Sequence, residues 1–166
     1  MILNNSKSVI NLKITRRISI ILYLAFLVLA FAARIIKFPL LSMGEAAWAI
    51  IVTVCFLIVV FIPVILNYQY IFFSDEGNII IFRYYTTGLI EGKKNSVEIE
   101  KRTFSGFTLD KMFFGLIQSI TLYQRLKEGV AKYPPVYISG LKRKDKESIL
   151  ESLTSYAPRV KGKKRV

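Results

Sequence analysis

From Ala46 to Leu66 the chain runs for 21 residues without a charge, "AAWAIIVTVCFLIVVFIPVIL". A bilayer's hydrocarbon core is about 30 Å thick, and a helix rising about 1.5 Å per residue needs roughly 20 residues to cross it. The competing reading is the buried helix of a globular core. A second run, Ile18–Ala33 ("ISIILYLAFLVLAFAA"), weighs against that, because 166 residues cannot enclose two such helices on all sides. The sequence therefore predicts two spans, at about 18–36 and 46–66, the first extended to Ile36 by letting Arg34 snorkel to the headgroups. "RIIKFPLLSMGE" joins them as a short loop, in which Ser42 and Glu45 have the spacing of a capping box. Trp48, Tyr68 and Tyr70 stand where interfacial aromatic belts fall.

Charge is segregated around these runs. Residues 1–66 carry six basic side chains and one acid; residues 67–166 carry eighteen and ten, which completes the net +13. Lys7, Lys13, Arg16 and Arg17 precede the first run, and only Arg34 and Lys37 lie between the two. The positive-inside rule then places both termini of this multi-pass protein in the cytoplasm. The basic N-terminal flank 1–17, the first apolar run and Ala30-Phe31-Ala32 also imitate a cleavable signal peptide. Cleavage would shorten the chain and leave the second span entering from outside. Neither run holds an internal carboxylate or central base, so they read as an anchor and not as a proton or ion pathway.

From Tyr68 the pattern changes to short strand-like runs. "YQYIFF" (68–73) and "IIIFRYY" (79–85) flank the turn cluster "SDEGN" and form a hairpin. "SVEIE" puts Val97 and Ile99 on one face and Glu98 and Glu100 on the other. "TFSGFTLDKM" reads as a strand bent at Gly106, with a turn at Phe113-Phe114-Gly115, and "SITLYQRL" (119–126) as another strand. "KEGVAKYPP" reads as a loop around Gly129 and "VYISGL" (136–141) as a further strand. In "DKESILESLTSYA" (145–157) Ile149, Leu150, Leu153 and Tyr156 recur at helical spacing, with Asp145 as cap and Pro158 as stop. The fold class is α+β: a transmembrane helical hairpin (18–66), a bent antiparallel sheet or open barrel capped by a C-terminal helix (67–157), and a basic tail (158–166).

Two spans followed by "YIFFSDEGNIIIFRYYTTGL", "SVEIEKRTFSGFTL", "FFGLIQSITLY", "VYISGL" and a terminal helix resemble the bacterial pleckstrin-homology-like (bPH) domain membrane proteins. The resemblance covers residues 68–157 and the paired spans. It implies a seven-stranded, strongly bent sheet closed by a helix, and a role in binding or assembly. The long "QRLKEGVAKYPP" connection and the basic tail depart from the family pattern. Phosphoinositide-binding relatives place bases in the first hairpin loop; here that loop is Asp75-Glu76-Gly77-Asn78, with Arg83 alone beyond it, so no specific phosphoinositide is expected.

Enzymatic chemistry has little to stand on. With no histidine and one cysteine, Cys55, neither a zinc site nor an internal disulfide can be assembled. No catalytic residue, cofactor or metal ligand is assigned. Glu98 and Glu100, followed by Lys101 and Arg102, read as a solvated mixed-charge face, and Ser105-Gly106 as a bulge. The strongest signal is electrostatic: Lys142, Arg143, Lys144 and Lys146 crowd the start of the last helix, and Lys161, Lys163, Lys164 and Arg165 fill the tail. Beside an anionic leaflet each base contributes about 1 kcal/mol of attraction, which makes these residues candidates for lipid-surface contact. No specific nucleic-acid partner is expected. The sequence thus predicts a membrane-anchored, non-enzymatic protein whose cytoplasmic domain meets a protein partner or a second copy. The alternatives are an anionic-lipid-binding surface module and an accessory subunit of an enzyme or transporter.

Overall fold

In a computed structural model, residues 1–39, 42–89 and 91–157 are described, and they divide into two compact units, one within 10–63 and one of 1–9 with the described residues from 64 to 157. Pro158 and the tail bases Lys161, Lys163, Lys164 and Arg165 lie outside the described residues.

The first unit is helical. Helix α1 spans Ser6–Leu27 and continues as a π-helical turn over Val28–Ala32; α2 spans Glu45–Ile65. At 27 and 21 residues both are long and apolar enough to cross a membrane. Most of their apolar side chains are exposed, Ile21, Leu22 and Ile50 by more than six-tenths. Water would penalise such a surface and lipid would not. Within the unit, Tyr23 stacks on Phe56 at 4.3 Å and its hydroxyl lies 3.1 Å from Thr53 Oγ1. The capping box is not formed. Ser42 has φ 61, whereas an N-cap residue needs extended backbone, and the Trp48 N–H bonds to the Gly44 carbonyl instead.

Among its described residues the second unit is a domain of eight strands and one helix. Its first sheet runs in the order β1 (Ile2–Asn4), β2 (Gln69–Ser74), β3 (Ile79–Thr86) and β4 (Asn95–Glu100), all antiparallel. Alternation does what period-2 patterning requires. Ile71 and Phe73, Ile80 and Phe82, Val97 and Ile99 turn inward, while Arg83 and Glu98 turn out. In the second sheet β6 (Ile117–Leu126) pairs with β5 (Phe104–Met112) on one side, and with β7 (Gly129–Lys132) and β8 (Val136–Tyr137) on the other. The register slips between Phe104 and Gly106, the expected bulge, and Gly106 takes φ 139. Helix α3 (Arg143–Tyr156) closes the core with Ile149 and Leu153, both fully buried. Each such side chain stabilises the fold by about 1.5–3 kcal/mol.

One strand falls where none was expected, and three expectations are corrected. Residues within the N-terminal flank form β1, which pairs Leu3 with Phe73. The "KEGVAK" loop holds β7, so the turn is at Lys127 and Glu128. The strand expected over 136–141 stops at Tyr137. The last helix starts at Arg143 behind Lys142, which offers no side-chain cap, and Asp145 lies in its first turn.

Candidate functional site

The domain has two ends, defined by where strands start and stop. At one end β2 begins at Gln69, four residues after α2 stops at Ile65, and β1 gives way to α1 through Asn5. The buried Asn5 amide holds this junction: its Nδ2–H donates to the Gln69 carbonyl at 2.9 Å, and the Ile71 N–H donates to its Oδ1 at 2.8 Å. The Gln69 side-chain oxygen accepts from the Tyr137 N–H at 2.9 Å, linking the two sheets at this same end. Tyr68 packs against Gly140, where a β-carbon would come within 2.9 Å of the ring.

The opposite end is closed around Asp75. Its carboxylate takes an ion pair from the Met1 ammonium and accepts from the Ser152 hydroxyl at 2.5 Å, while Lys101 Nζ donates to its carbonyl at 2.7 Å and sits 4.3 Å from the Tyr156 ring. Burial pushes the carboxyl up, but the hydrogen bonds from the ammonium and Ser152, with the charges of the ammonium and Lys101, outweigh it and leave Asp75 below its ordinary value. These bonds tie β1, the β2–β3 turn and the end of α3 together. The arrangement is a clasp whose acceptors are already occupied.

Of the basic residues expected to meet lipid, four lie among the described residues. Lys142, Arg143 and Lys144 are exposed at the start of α3 and Lys146 is half-buried. Arg143 and Lys146 share a cavity of 330 Å³ with Lys111, Gln118 and Leu150. Burial lowers the Lys146 ammonium below the usual lysine value, whereas a 2.8 Å bond to Glu147 raises the exposed Arg143 guanidinium. The structure therefore adds Lys111, from a neighbouring strand, to the four bases expected here.

Sequence reasoning missed a groove of 490 Å³ across β2, β3 and the start of β4, lined by Tyr70, Arg83, Tyr85 and Lys94 with Tyr84 and Glu91. Register places Tyr70 opposite Tyr85, and the rings stack 4.8 Å apart at 22°. Arg83 stands over the Phe72 ring at 5.9 Å and 3.7 Å from Glu98. Burial pushes the Tyr84 hydroxyl up. Aligning the two arms of the first hairpin around Gly77 would have paired these tyrosines. The two carboxylates of β4 do not converge: Glu98 faces Arg83, and Glu100 lies 3.3 Å from Arg102. Among the described residues no group of three or more His, Cys, Asp or Glu is placed to hold a metal ion. No family model matches the chain, and neither a curated protein nor a solved structure does.

Proposed function

We propose that this chain is a membrane-anchored, non-enzymatic docking protein, with two spans in the inner membrane, both termini in the cytoplasm, and a PH-like domain that receives a protein partner. The PH-like reading is supported by a first sheet of consecutive hairpins, a second sheet built around β6, and a C-terminal helix that seals the core. The anchor reading is supported by two long helices with lipid-compatible surfaces. Pairing of β1 with β2 supports retention of the N-terminal residues and is consistent with Met1 and the domain lying on one side.

One observation carries the docking reading: the Tyr70–Tyr85 stack with Arg83 and Lys94 in an open groove. Tyr and Arg dominate interface energetics, because they bury a large, rigid area and keep a polar handle. The partner that fits is a protein segment offering an apolar or aromatic side chain to the tyrosines and a carboxylate to Arg83 or Lys94. A photo-crosslinking residue at Tyr85 in the full-length protein, in its native membrane, is expected to give one discrete adduct. Arg83→Glu should reduce the adduct at least tenfold at equal protein level, the loss of about 1.4 kcal/mol or more. A monomer that forms no adduct from position 85, or an adduct indifferent to Arg83→Glu, overturns the reading.

A further inference from the structure

The β5–β6 hairpin ends in an apolar tip that the core does not use. Phe113 is 68% exposed, Phe114 fully exposed, and Met112 and Leu116 46% and 63%. Phe113, Phe114 and Gly115 take φ 48, 54 and 88 in succession. Two bulky residues in the left-handed region are costly, and such strain gathers where a backbone is held for a purpose. Here it turns both rings away from the domain. Gln118 fixes the tip from below, its Nε2–H donating to the Gly115 carbonyl at 2.9 Å and its N–H to Ser139 Oγ at 3.1 Å.

The tip lies at the end of the domain from which the chain leads back to α2. Ser139 is followed by Gly140, which packs on Tyr68, and Tyr68 is three residues from the end of α2. Three residues reach roughly 10 Å, so this is the end of the domain that the chain ties to α2. Bases outnumber acids at the same end. Lys111 precedes the tip, Lys142, Arg143 and Lys144 open α3, and Lys93 and Lys94 lie beside the start of β4, against Glu91, Asp110, Asp145 and Glu147, the last paired with Arg143. At the far end Asp75, Glu76 and Glu128 accompany Lys101, Arg102 and Lys127, a balanced set.

We infer that the Met112–Leu116 tip is a second membrane contact, buried at the headgroup–acyl boundary of the bilayer that holds the spans, with Lys111 and the start of α3 as a basic collar on an anionic leaflet. The inference rests on the anchor reading above. Apolar side chains inserted into a boundary rimmed by bases are how monotopic segments hold to membranes. The contact fixes how the domain is presented, because a domain held by its tether and by the tip cannot swivel freely.

The test uses the full-length protein in phosphatidylcholine–phosphatidylglycerol vesicles with a polarity-sensitive fluorophore on single cysteines. Wild type is labelled at Cys55; Cys55→Ala carrying Phe114→Cys, and Cys55→Ala carrying Glu128→Cys, report the tip and the far end. Position 114 is fully exposed, so its substitution removes no core contact. Shallow lipid-borne quenchers are expected to quench position 114 several-fold more than 128, while an aqueous quencher does the reverse, at every protein-to-lipid ratio. Phosphatidylcholine alone should give a shallower position 114. If 114 and 128 are equally aqueous while Cys55 is quenched by lipid, the tip contact is wrong and the anchor stands. An aqueous Cys55 sinks the anchor and the inference together. Protection of 114 that vanishes on dilution in lipid assigns the tip to a second copy, and equal depth in both lipids removes the collar; either result overturns the inference as stated.

Discussion

Asp75 stands in the turn between β2 and β3 and accepts from two residues that local sequence does not reveal, Met1 and Ser152, 74 and 77 positions away. Its side chain is only 10% exposed, so solvent screens the ion pair less than at an open surface. Asp75→Asn keeps the shape and removes the charge, which should cost about 1–2 kcal/mol at neutral pH. The folded-state carboxyl lies below its ordinary value, so its contribution is complete above about pH 5 and fades as pH falls below the ordinary aspartate value of about 3.9. Denaturant unfolding in micelles, followed by tyrosine near-ultraviolet circular dichroism, should show a gap between wild type and variant at pH 7 that closes at strongly acidic pH. A constant gap would mean the charge is not its source. The sequence marks "SDEGN" as a turn because Asp, Gly and Asn tolerate its geometry. It cannot mark the clasp, since a pairing across the whole chain leaves no local pattern.

Elements were legible where they repeat their period and obscure where a neighbour creates them. The β2–β3 hairpin is expected at 68–73 and 79–85 and found at 69–74 and 79–86, because six to eight alternating residues identify a strand by themselves. Strand β1 has three residues and β7 four polar-flanked ones, too few to show alternation; β2 and β6 supply the pairing that makes them strands. The groove was hidden for a similar reason, since Tyr70 and Tyr85 belong to different runs until register joins them. Asn5 is the residue on which β1 depends. Its amide completes the ladder that β1 begins, so Asn5→Ala leaves the Ile71 N–H and the Gln69 carbonyl unpaired in a buried place. The expected cost is about 2–4 kcal/mol, from two lost bonds and the desolvated groups left behind. Hydrogen exchange by mass spectrometry should show β1 and the start of β2 losing protection while β5 and β6 keep theirs. Uniform loss across both sheets would show that the junction is not a local device.

At the scale of the whole chain, the arrangement is one domain stitched from both sides of a helical pair. Because β1 pairs with β2, the residues before α1 and those after α2 belong to one folded unit. Strand pairing cannot form across a bilayer, since neither sheet edge can lie unpaired in hydrocarbon. If the two helices span as proposed, the β1–β2 ladder calls for Met1 and the domain to share a compartment. Reporter enzymes fused before Met1 and after Val166 are expected to agree with each other, and one inserted at Lys37 to disagree with both. The pairing makes a sharper demand than charge alone. Leu3→Pro, which removes a donor from a strand of three residues, should weaken the domain yet leave the three reporters unchanged, because insertion follows the basic flanks and not the fold. Reporters that disagree between the two termini in the unaltered chain would rule out the β1–β2 ladder itself.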